Sequence, residues 1–337
     1  MLNRAVIDLI ILRDNAKKVK AQLKKGVLFN AVVKADAYGH GAPTVANAIY
    51  DIVDNYSVAT VNEGVELRLS GIDKDIFILT PLIGQDVADA VFYGLIPTVC
   101  SVEQIDAIKV QTEKQNRCAF IQIKYNAGMN RLGVDGIKEL KVMLDKINEC
   151  KKVKLWGMFS HFSAPQNKKS RISAENKFLL ANNLVKGYNN MAVCHISASG
   201  GFLCGAQYDM VRIGILLYGY KPFDGIDFSV KPVMKVYAPV IERRNLDCGE
   251  SALYGDKKSN GQHITLIRYG YADGLMRAET DGQFNNRCMD ITAVNGLIDD
   301  AFYTVMDDAE VLAKKYGTIS YEILTKCALR AQKIYLK

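Results

Sequence analysis

The chain has 337 residues, which is too long for one small core and predicts about two domains. Hydrophobic residues make up 49% and charged residues 23%, as is typical of soluble globular proteins. The net charge of +7 comes from basic residues that are scattered along the chain, so we expect no nucleic-acid partner. A modest positive field would instead attract an anionic cofactor or a carboxylate substrate.

The cysteine pattern and the N-terminal segment indicate a cytoplasmic protein. The eight cysteines form no C-x-x-C pair and have no metal-ligand spacing, so we predict free thiols and no metal site. The apolar run from Ala5 to Leu12 contains Asp8, and it is too short and too charged for a signal peptide or a membrane span. We therefore expect no membrane partner.

Short apolar runs alternate with helical patterns through the first two thirds of the chain. We predict helices over Pro43–Asp51, Val61–Leu69, Glu103–Lys114, Ile137–Glu149 and Lys177–Tyr188. Eight strands are predicted, over Phe29–Lys34, Tyr56–Thr60, Ile76–Thr80, Ile96–Cys100, Phe120–Lys124, Lys154–Phe159, Val193–Ser197 and Met210–Leu216. This alternation favours an α/β fold of the (β/α)₈ TIM-like barrel type, with a doubly wound open sheet as the alternative.

The pattern changes near residue 222, where we predict a mainly β C-terminal domain. Strands are expected over Val230–Arg243, His263–Tyr269 and Met289–Val294, with turns at Gly255, Gly261 and Gly274. A helix over Met306–Tyr316 and a final β stretch follow. We assign residues 12–221 to the barrel and 222–337 to the second domain. A predicted strand over Asn3–Ile11 would place residues 1–11 with the second domain.

The segment from Ala31 to Gly41 carries the strongest chemical signal. It begins as an apolar strand that ends in Lys34, and the carboxyl ends of barrel strands face the active site. Burial at that rim would lower the pKa of the lysine and make its amine a nucleophile able to form a Schiff base. The alternative is a surface lysine followed by an ordinary loop.

The run from Val32 to Gly41 resembles the cofactor-lysine signature of the alanine racemase family, which are pyridoxal-phosphate enzymes of fold type III. The resemblance implies that Lys34 holds pyridoxal 5'-phosphate covalently and acts as one of two catalytic bases. It also implies that Tyr38 contacts the phosphate.

A second motif, from Lys124 to Gly133, is similar to the one that ends the fifth barrel strand in that family. By this similarity Arg131 binds the substrate carboxylate, which suits the paired donors of a guanidinium. Lys124 corresponds to a lysine that is often carbamylated, and a carbamate would turn a repelling Lys–Arg pair into an attracting one. The chain departs from the family motif at the positions of Asn126, Ala127 and Asn130.

The ends of the sixth to eighth strands also resemble the family. The resemblance places His161 beneath the arginine that faces the pyridine nitrogen, and that arginine is Arg212. An arginine does not give up its proton, so it would leave the ring nitrogen unprotonated. Ser199 takes a phosphate position, and Gly214 and Ile215 would supply backbone amides to the same group.

In the second domain, the segment from Arg268 to Arg277 resembles the family's catalytic tyrosine segment, with Tyr271 as the tyrosine. Inversion at Cα requires a base on each face, and the resemblance implies that Tyr271 comes from a partner subunit. A homodimer with composite sites follows. Met289 would line the partner's substrate site through its backbone. Leu329 stands where we expect the family's second inner tyrosine, so the pocket wall would lack a hydroxyl there.

The resemblance implies a pyridoxal-phosphate-dependent alanine racemase that supplies D-alanine for peptidoglycan. Two alternatives remain open: a serine or broad-specificity amino-acid racemase, and a non-catalytic paralogue that binds the cofactor. Decarboxylases of similar design are less favoured, because we expect them to place an acid at the pyridine nitrogen instead of Arg212.

Overall fold

A computed structural model describes residues 1–254, 258–277 and 286–337 of the chain. The turn predicted at Gly255 lies outside these residues. Among the helices that are described, none combines the length and the apolar composition needed to cross a membrane.

The chain opens with strand β1 (Arg4–Asp8), which leads directly into helix α1 (Leu9–Ala21). The strand predicted over Asn3–Ile11 was therefore wrong in its second half. The Asp8 side chain accepts hydrogen bonds from the backbone nitrogens of Ile10 and Ile11, at 2.9 and 3.0 Å. This N-cap ends the strand and begins the helix, because it satisfies amides that have no partner within the helix itself.

A parallel sheet of eight strands follows and curls into a nearly closed barrel, which confirms the predicted fold class. The sheet order is β8-β7-β6-β5-β4-β3-β2-β9. The two end strands, β8 and β9, form no regular ladder with each other, but a bridge joins Ala198, just after β8, to Arg212 in β9. The eight strands are β2 (Leu28–Val32), β3 (Asn55–Val58), β4 (Ile76–Pro81), β5 (Ile96–Val99), β6 (Ala119–Lys124), β7 (Val153–Phe159), β8 (Val193–His195) and β9 (Met210–Ile213).

Helices connect the barrel strands and cover the outside of the barrel. Helix α8 begins at Lys168, earlier than the predicted Lys177, because the Asn167 side chain caps it by accepting from the Ser170 nitrogen at 3.0 Å. Helix α5 was not predicted. The helices are α2 (Lys34–Tyr38), α3 (Ala42–Ala48), α4 (Val61–Leu69), α5 (Asp86–Phe92), α6 (Val102–Lys114), α7 (Gly136–Asn148), α8 (Lys168–Tyr188) and α9 (Ser199–Leu203).

The remaining chain forms a second, mainly β unit around a seven-stranded sheet. Strand β1 is inserted in this sheet, antiparallel to β10 and parallel to β15, so the first residues of the chain pack with the last. Helix α11 was not predicted. The elements are β10 (Met234–Ser251), β11 (Lys258–Ile267), β12 (Asn286–Arg287), β13 (Thr292–Asn295), β14 (Phe302–Met306), α10 (Ala309–Tyr316), α11 (Ser320–Cys327) and β15 (Gln332–Leu336).

Candidate active site

A cavity of about 870 Å³ lies at the carboxyl ends of the barrel strands. This is the end at which parallel barrels bind their ligands. Residues from α11 of the second unit, such as Tyr321 and Thr325, complete its wall. Nine of the residues singled out in the sequence line it together: Lys34, Tyr38, Lys124, Arg131, His161, Ser199, Arg212, Gly214 and Ile215.

Lys34 stands at the entrance to a left-handed turn. The predicted strand through Lys34 was too long, because β2 ends at Val32 and the backbone enters a left-handed conformation after Lys34. The four residues from Ala35 to Tyr38 all have φ between 52° and 55°. Each non-glycine residue in this region costs roughly 1–2 kcal/mol, so the turn needs support from its surroundings.

Contacts from distant parts of the chain supply that support. The Asp36 carboxylate accepts from the Ala42 nitrogen at 2.8 Å and pairs with the Lys333 ammonium of β15 at 2.5 Å. Gly39 ends the turn at φ +82°, and a Cβ there would lie 2.5 Å from the carbonyl oxygen of Leu324 in α11. The second unit therefore presses directly on the turn that carries Lys34.

The electrostatic surroundings favour a neutral amine on Lys34. Burial lowers the pKa of Lys34, and the nearby Arg131 and Arg212 lower it further, while Glu63 opposes them. A lysine with a depressed pKa has a larger nucleophilic fraction at neutral pH. The position thus suits covalent attachment of an aldehyde.

Arg212 is buried and is held by uncharged acceptors. Its guanidinium donates to the Ser160 carbonyl at 2.7 Å, to His161 Nδ1 at 3.3 Å and to His195 Nδ1. Burial, together with repulsion from Arg131, lowers the pKa of Arg212 to about 9. Burial and the charge of Arg212 also hold the pKa values of both histidines well below their usual range, which keeps these rings neutral. His195 was given no role in the sequence analysis, although it ends β8 just before Ser199 and so had the same positional signal.

Lys124 is a second buried lysine in the cavity. It is 6% exposed, and its Nζ lies 4.1 Å from the centroid of the Phe159 ring. Burial, followed by the charges of Arg212 and Arg131, lowers its pKa well below the usual value. No ion pair involves Lys124 or Arg131 within the described part of the chain. Both side chains are therefore available to an anion.

The far end of the cavity has the donors that a phosphate group requires. The Gly214 nitrogen donates to Ser199 Oγ at 3.3 Å, and a Cβ on Gly214 would lie 2.6 Å from the Tyr38 hydroxyl. Two hydroxyls and a backbone amide thus converge, at a place where a Cβ on residue 214 would push against the Tyr38 hydroxyl. Together with Lys34 and Arg212, this donor set fits pyridoxal phosphate.

Tyr271 and Met289 lie outside the cavity of their own chain. They are neighbours of each other: the Tyr271 nitrogen donates to the Cys288 carbonyl at 3.2 Å, and the Ala272 nitrogen donates to the Met289 carbonyl at 3.0 Å. Both side chains are accessible, with 40% of Tyr271 and 54% of Met289 exposed. A single chain does not bring Tyr271 to Lys34.

Tyr321 is a second tyrosine of the cavity wall, beside Tyr38, whereas Leu329 does not line the cavity of its own chain, where the sequence had placed it. Leu329 is 72% exposed and lies outside the cavity of this chain, because it follows the end of α11. The ring centroid of Tyr321 lies 5.9 Å from that of Tyr38, and burial raises the pKa of Tyr321 to about 12. The Tyr321-Glu322 pair was the available sequence signal, and it was assigned no role.

Comparisons with known proteins agree with this geometry. Residues 7–222 match the model of the alanine racemase N-terminal domain, and residues 233–335 match that of the C-terminal domain. The alanine racemase of Aquifex aeolicus (strain VF5) is 30% identical over 96% of this chain and 96% of its own length.

Solved structures extend the similarity to the whole fold. The alanine racemase of Clostridium difficile 630 superimposes with a TM-score of 0.93 at 27% identity, covering 100% of this chain and 96% of its own. The alanine racemase of Bartonella henselae, solved with covalently bound pyridoxal phosphate, has a TM-score of 0.86 at 25% identity and covers 100% of both chains.

The barrel, the second β unit and the lysine turn define a pyridoxal-phosphate enzyme class, fold type III. Within that class, the chain belongs to the alanine racemase family and is an amino-acid racemase.

Proposed function

We propose that this racemase interconverts L- and D-alanine, with pyridoxal phosphate on Lys34. The observation that carries the proposal is the set of basic side chains in the cavity, where the guanidinium groups of Arg131 and Arg212 lie together with Lys34 and Lys124 and with few opposing carboxylates. Such a cavity suits a ligand with a phosphate and a carboxylate. The relatives of this chain in Aquifex aeolicus and Clostridium difficile are named alanine racemases.

The chain's own residues would hold the cofactor at three places. Lys34 would bond to its aldehyde carbon, and Tyr38, Ser199, Gly214 and Ile215 would bind its phosphate. Arg212 would face the pyridine nitrogen, and it can only donate there, because a guanidinium has N–H donors and no acceptor. Its hydrogen bonds to the Ser160 carbonyl and to His161 hold it in place. When bound, the cofactor would delocalise the negative charge that forms at the substrate Cα.

The substrate carboxylate would be bound by Arg131, which lines the cavity without an ion pair among the described residues. We propose that Lys124 is carbamylated and so provides the missing negative charge beside Arg131. Burial and the two nearby arginines lower the pKa of Lys124 and so raise the uncharged fraction of its amine, which is the form that adds to carbon dioxide. The resulting anion would attract both arginines and hold Arg131 in place.

We propose that the chain forms a homodimer with two active sites, each of which contains residues from both copies. Lys34 would move the proton on one face of Cα, and Tyr271 of a second copy would move it on the other. The exposure of Tyr271 and Met289, side by side and outside their own cavity, supports this arrangement. The product D-alanine would supply peptidoglycan synthesis in the cytoplasm.

The experiment that tests this function is α-proton exchange. Enzyme supplied with pyridoxal phosphate is incubated in D₂O with each enantiomer of alanine, serine and larger amino acids, and deuterium at Cα is followed by NMR together with chirality. We expect both enantiomers of alanine to exchange and racemise fastest, and Lys34→Ala to abolish both processes. Faster turnover of serine would show a serine or broad-specificity racemase, and no exchange of any amino acid would contradict the proposal.

A further inference from the structure

Glu63 lies directly behind the cavity wall, in the first turn of α4. Its two carboxylate oxygens bind different parts of the chain. Oε2 accepts from the backbone nitrogens of Ala59 and Thr60, at 2.7 and 3.2 Å, which completes a capping box with Thr60. Oε1 accepts from the nitrogen of Ala35 at 2.7 Å.

The second contact is unrelated to helix capping. Ala35 precedes Glu63 by 28 positions and is the first left-handed residue after Lys34. A hydrogen bond to a carboxylate is stronger than one between neutral groups, and here it fixes a backbone amide in a conformation that the chain does not prefer. Asp36 and Lys333 support the middle of the turn, whereas Glu63 supports its start.

We propose that Glu63 is a positioning residue for Lys34, which fixes the left-handed turn through Ala35 with one carboxylate oxygen while the other caps α4. The inference rests on the proposed role of Lys34 as the cofactor lysine. Glu63 is not among the residues that line the cavity, so it would act on the cofactor only through Lys34.

The charge of Glu63 has a second effect on the same lysine. The charged groups that act on Lys34 are Arg131 and Arg212, which lower its pKa, and Glu63, which raises it. His161 is also close, but its own pKa is far below its usual value, so the ring is uncharged near neutral pH. Loss of the Glu63 charge therefore leaves the two arginines unopposed, and the pKa of Lys34 falls further.

Three variants separate the capping of α4, the hydrogen bond from the Ala35 nitrogen to Glu63 (the bridge to Ala35), and the negative charge of the Glu63 carboxylate. Thr60→Ala removes the capping hydroxyl, which accepts from the Glu63 nitrogen at 3.3 Å, and leaves the bridge to Ala35 intact. Glu63→Asp keeps the charge and a capping carboxylate, but it is one methylene too short to reach both sites. Glu63→Gln keeps the length and loses the charge and one acceptor.

Two measurements on the full-length protein read the outcome. The first is the dissociation constant of pyridoxal phosphate for protein freed of cofactor. The second is the pH dependence of acetylation of Lys34 by acetic anhydride in the cofactor-free protein, followed by peptide mass spectrometry. We expect Glu63→Gln and Glu63→Asp to weaken cofactor binding about tenfold, with Thr60→Ala close to wild type.

The acetylation midpoint should move to lower pH in Glu63→Gln and stay near wild type in Glu63→Asp and Thr60→Ala. Equal cofactor affinity in all three variants would reduce Glu63 to a helix cap and overturn the inference. If Glu63→Gln does not fold, a comparison of the cofactor dissociation constants of Glu63→Asp and Thr60→Ala still tests the bridge to Ala35. Failure of the wild type to bind pyridoxal phosphate would overturn the proposed function instead, and the acetylation series would still report on Glu63.

Discussion

At the residue scale, the site depends on ionisable groups that are buried beside one another with little opposite charge. Lys34 and Lys124 share the cavity with Arg131 and Arg212, and burial is the main cause of the lowered pKa of each lysine. Taking a cation out of water is unfavourable unless an anion accompanies it. Anions from the cofactor, the substrate and a carbamate would complete this charge balance.

Carbamylation of Lys124 is testable in solution. Wild-type protein in ¹³C-labelled bicarbonate should give a carbamate carbon signal that is absent from Lys124→Ala, because burial lowers the pKa of this amine and so favours the uncharged form that reacts with carbon dioxide. The signal should fade as the pH falls, since protonation of the amine removes its lone pair. The exposed Lys151→Ala variant is the matched control and should keep the signal. A signal that persists in Lys124→Ala would contradict the assignment.

The residues that line the cavity could largely be chosen from the sequence, but their backbone geometry could not. The position of Lys34 at the end of an apolar run was sufficient to place it at the barrel mouth. The left-handed turn after it contradicts the local preference of Ala35, Asp36 and Ala37, and it is held by Lys333 and Glu63, which are distant in sequence. A conformation imposed by tertiary contacts leaves little trace in local sequence.

At the element scale, the barrel strands were predictable because they are short runs rich in apolar residues and largely buried on both faces. All four residues of β3 are buried, for example, as is usual for parallel strands covered by helices. Helix α11 was missed, although its moderately amphipathic sequence buries Ile323 and Leu324 against the rest of the protein. This short helix matters for the site, because it carries Tyr321 and lies against the turn of Lys34.

The contact between α11 and the lysine turn gives a prediction about stability. Gly39→Ala would place a methyl group 2.5 Å from the Leu324 carbonyl oxygen at a φ of +82°. Gly26→Ala is the matched control, because Gly26 has a φ of +86° and nothing within 4 Å of a Cβ. We expect Gly39→Ala to lose about 1–3 kcal/mol more free energy of unfolding than Gly26→Ala in urea titrations. If both variants lose the same free energy of unfolding, α11 moves away from the added methyl group without cost, and the prediction is contradicted.

At the scale of the whole molecule, the chain has two surfaces with candidate catalytic residues, and these surfaces do not meet within one copy. The cavity with Lys34 opens at the barrel mouth, while Tyr271 and Met289 are exposed on the second unit. The sequence resemblance predicted this separation by assigning Tyr271 to a partner subunit. The domain boundary at residues 221 and 222 stays a prediction, since β1 lies in the second sheet and links the two units from the start of the chain.

The central claim is that Lys34 of one copy and Tyr271 of another form one racemase site, and subunit complementation tests it most directly. Lys34→Ala and Tyr271→Phe should each be inactive as pure proteins. Unfolded together and refolded in equal amounts, they should form heterodimers with one intact site, which restores about a quarter of the wild-type racemisation rate for random pairing. If native mass spectrometry shows heterodimers but racemisation stays at the level of the pure variants, the shared site is contradicted.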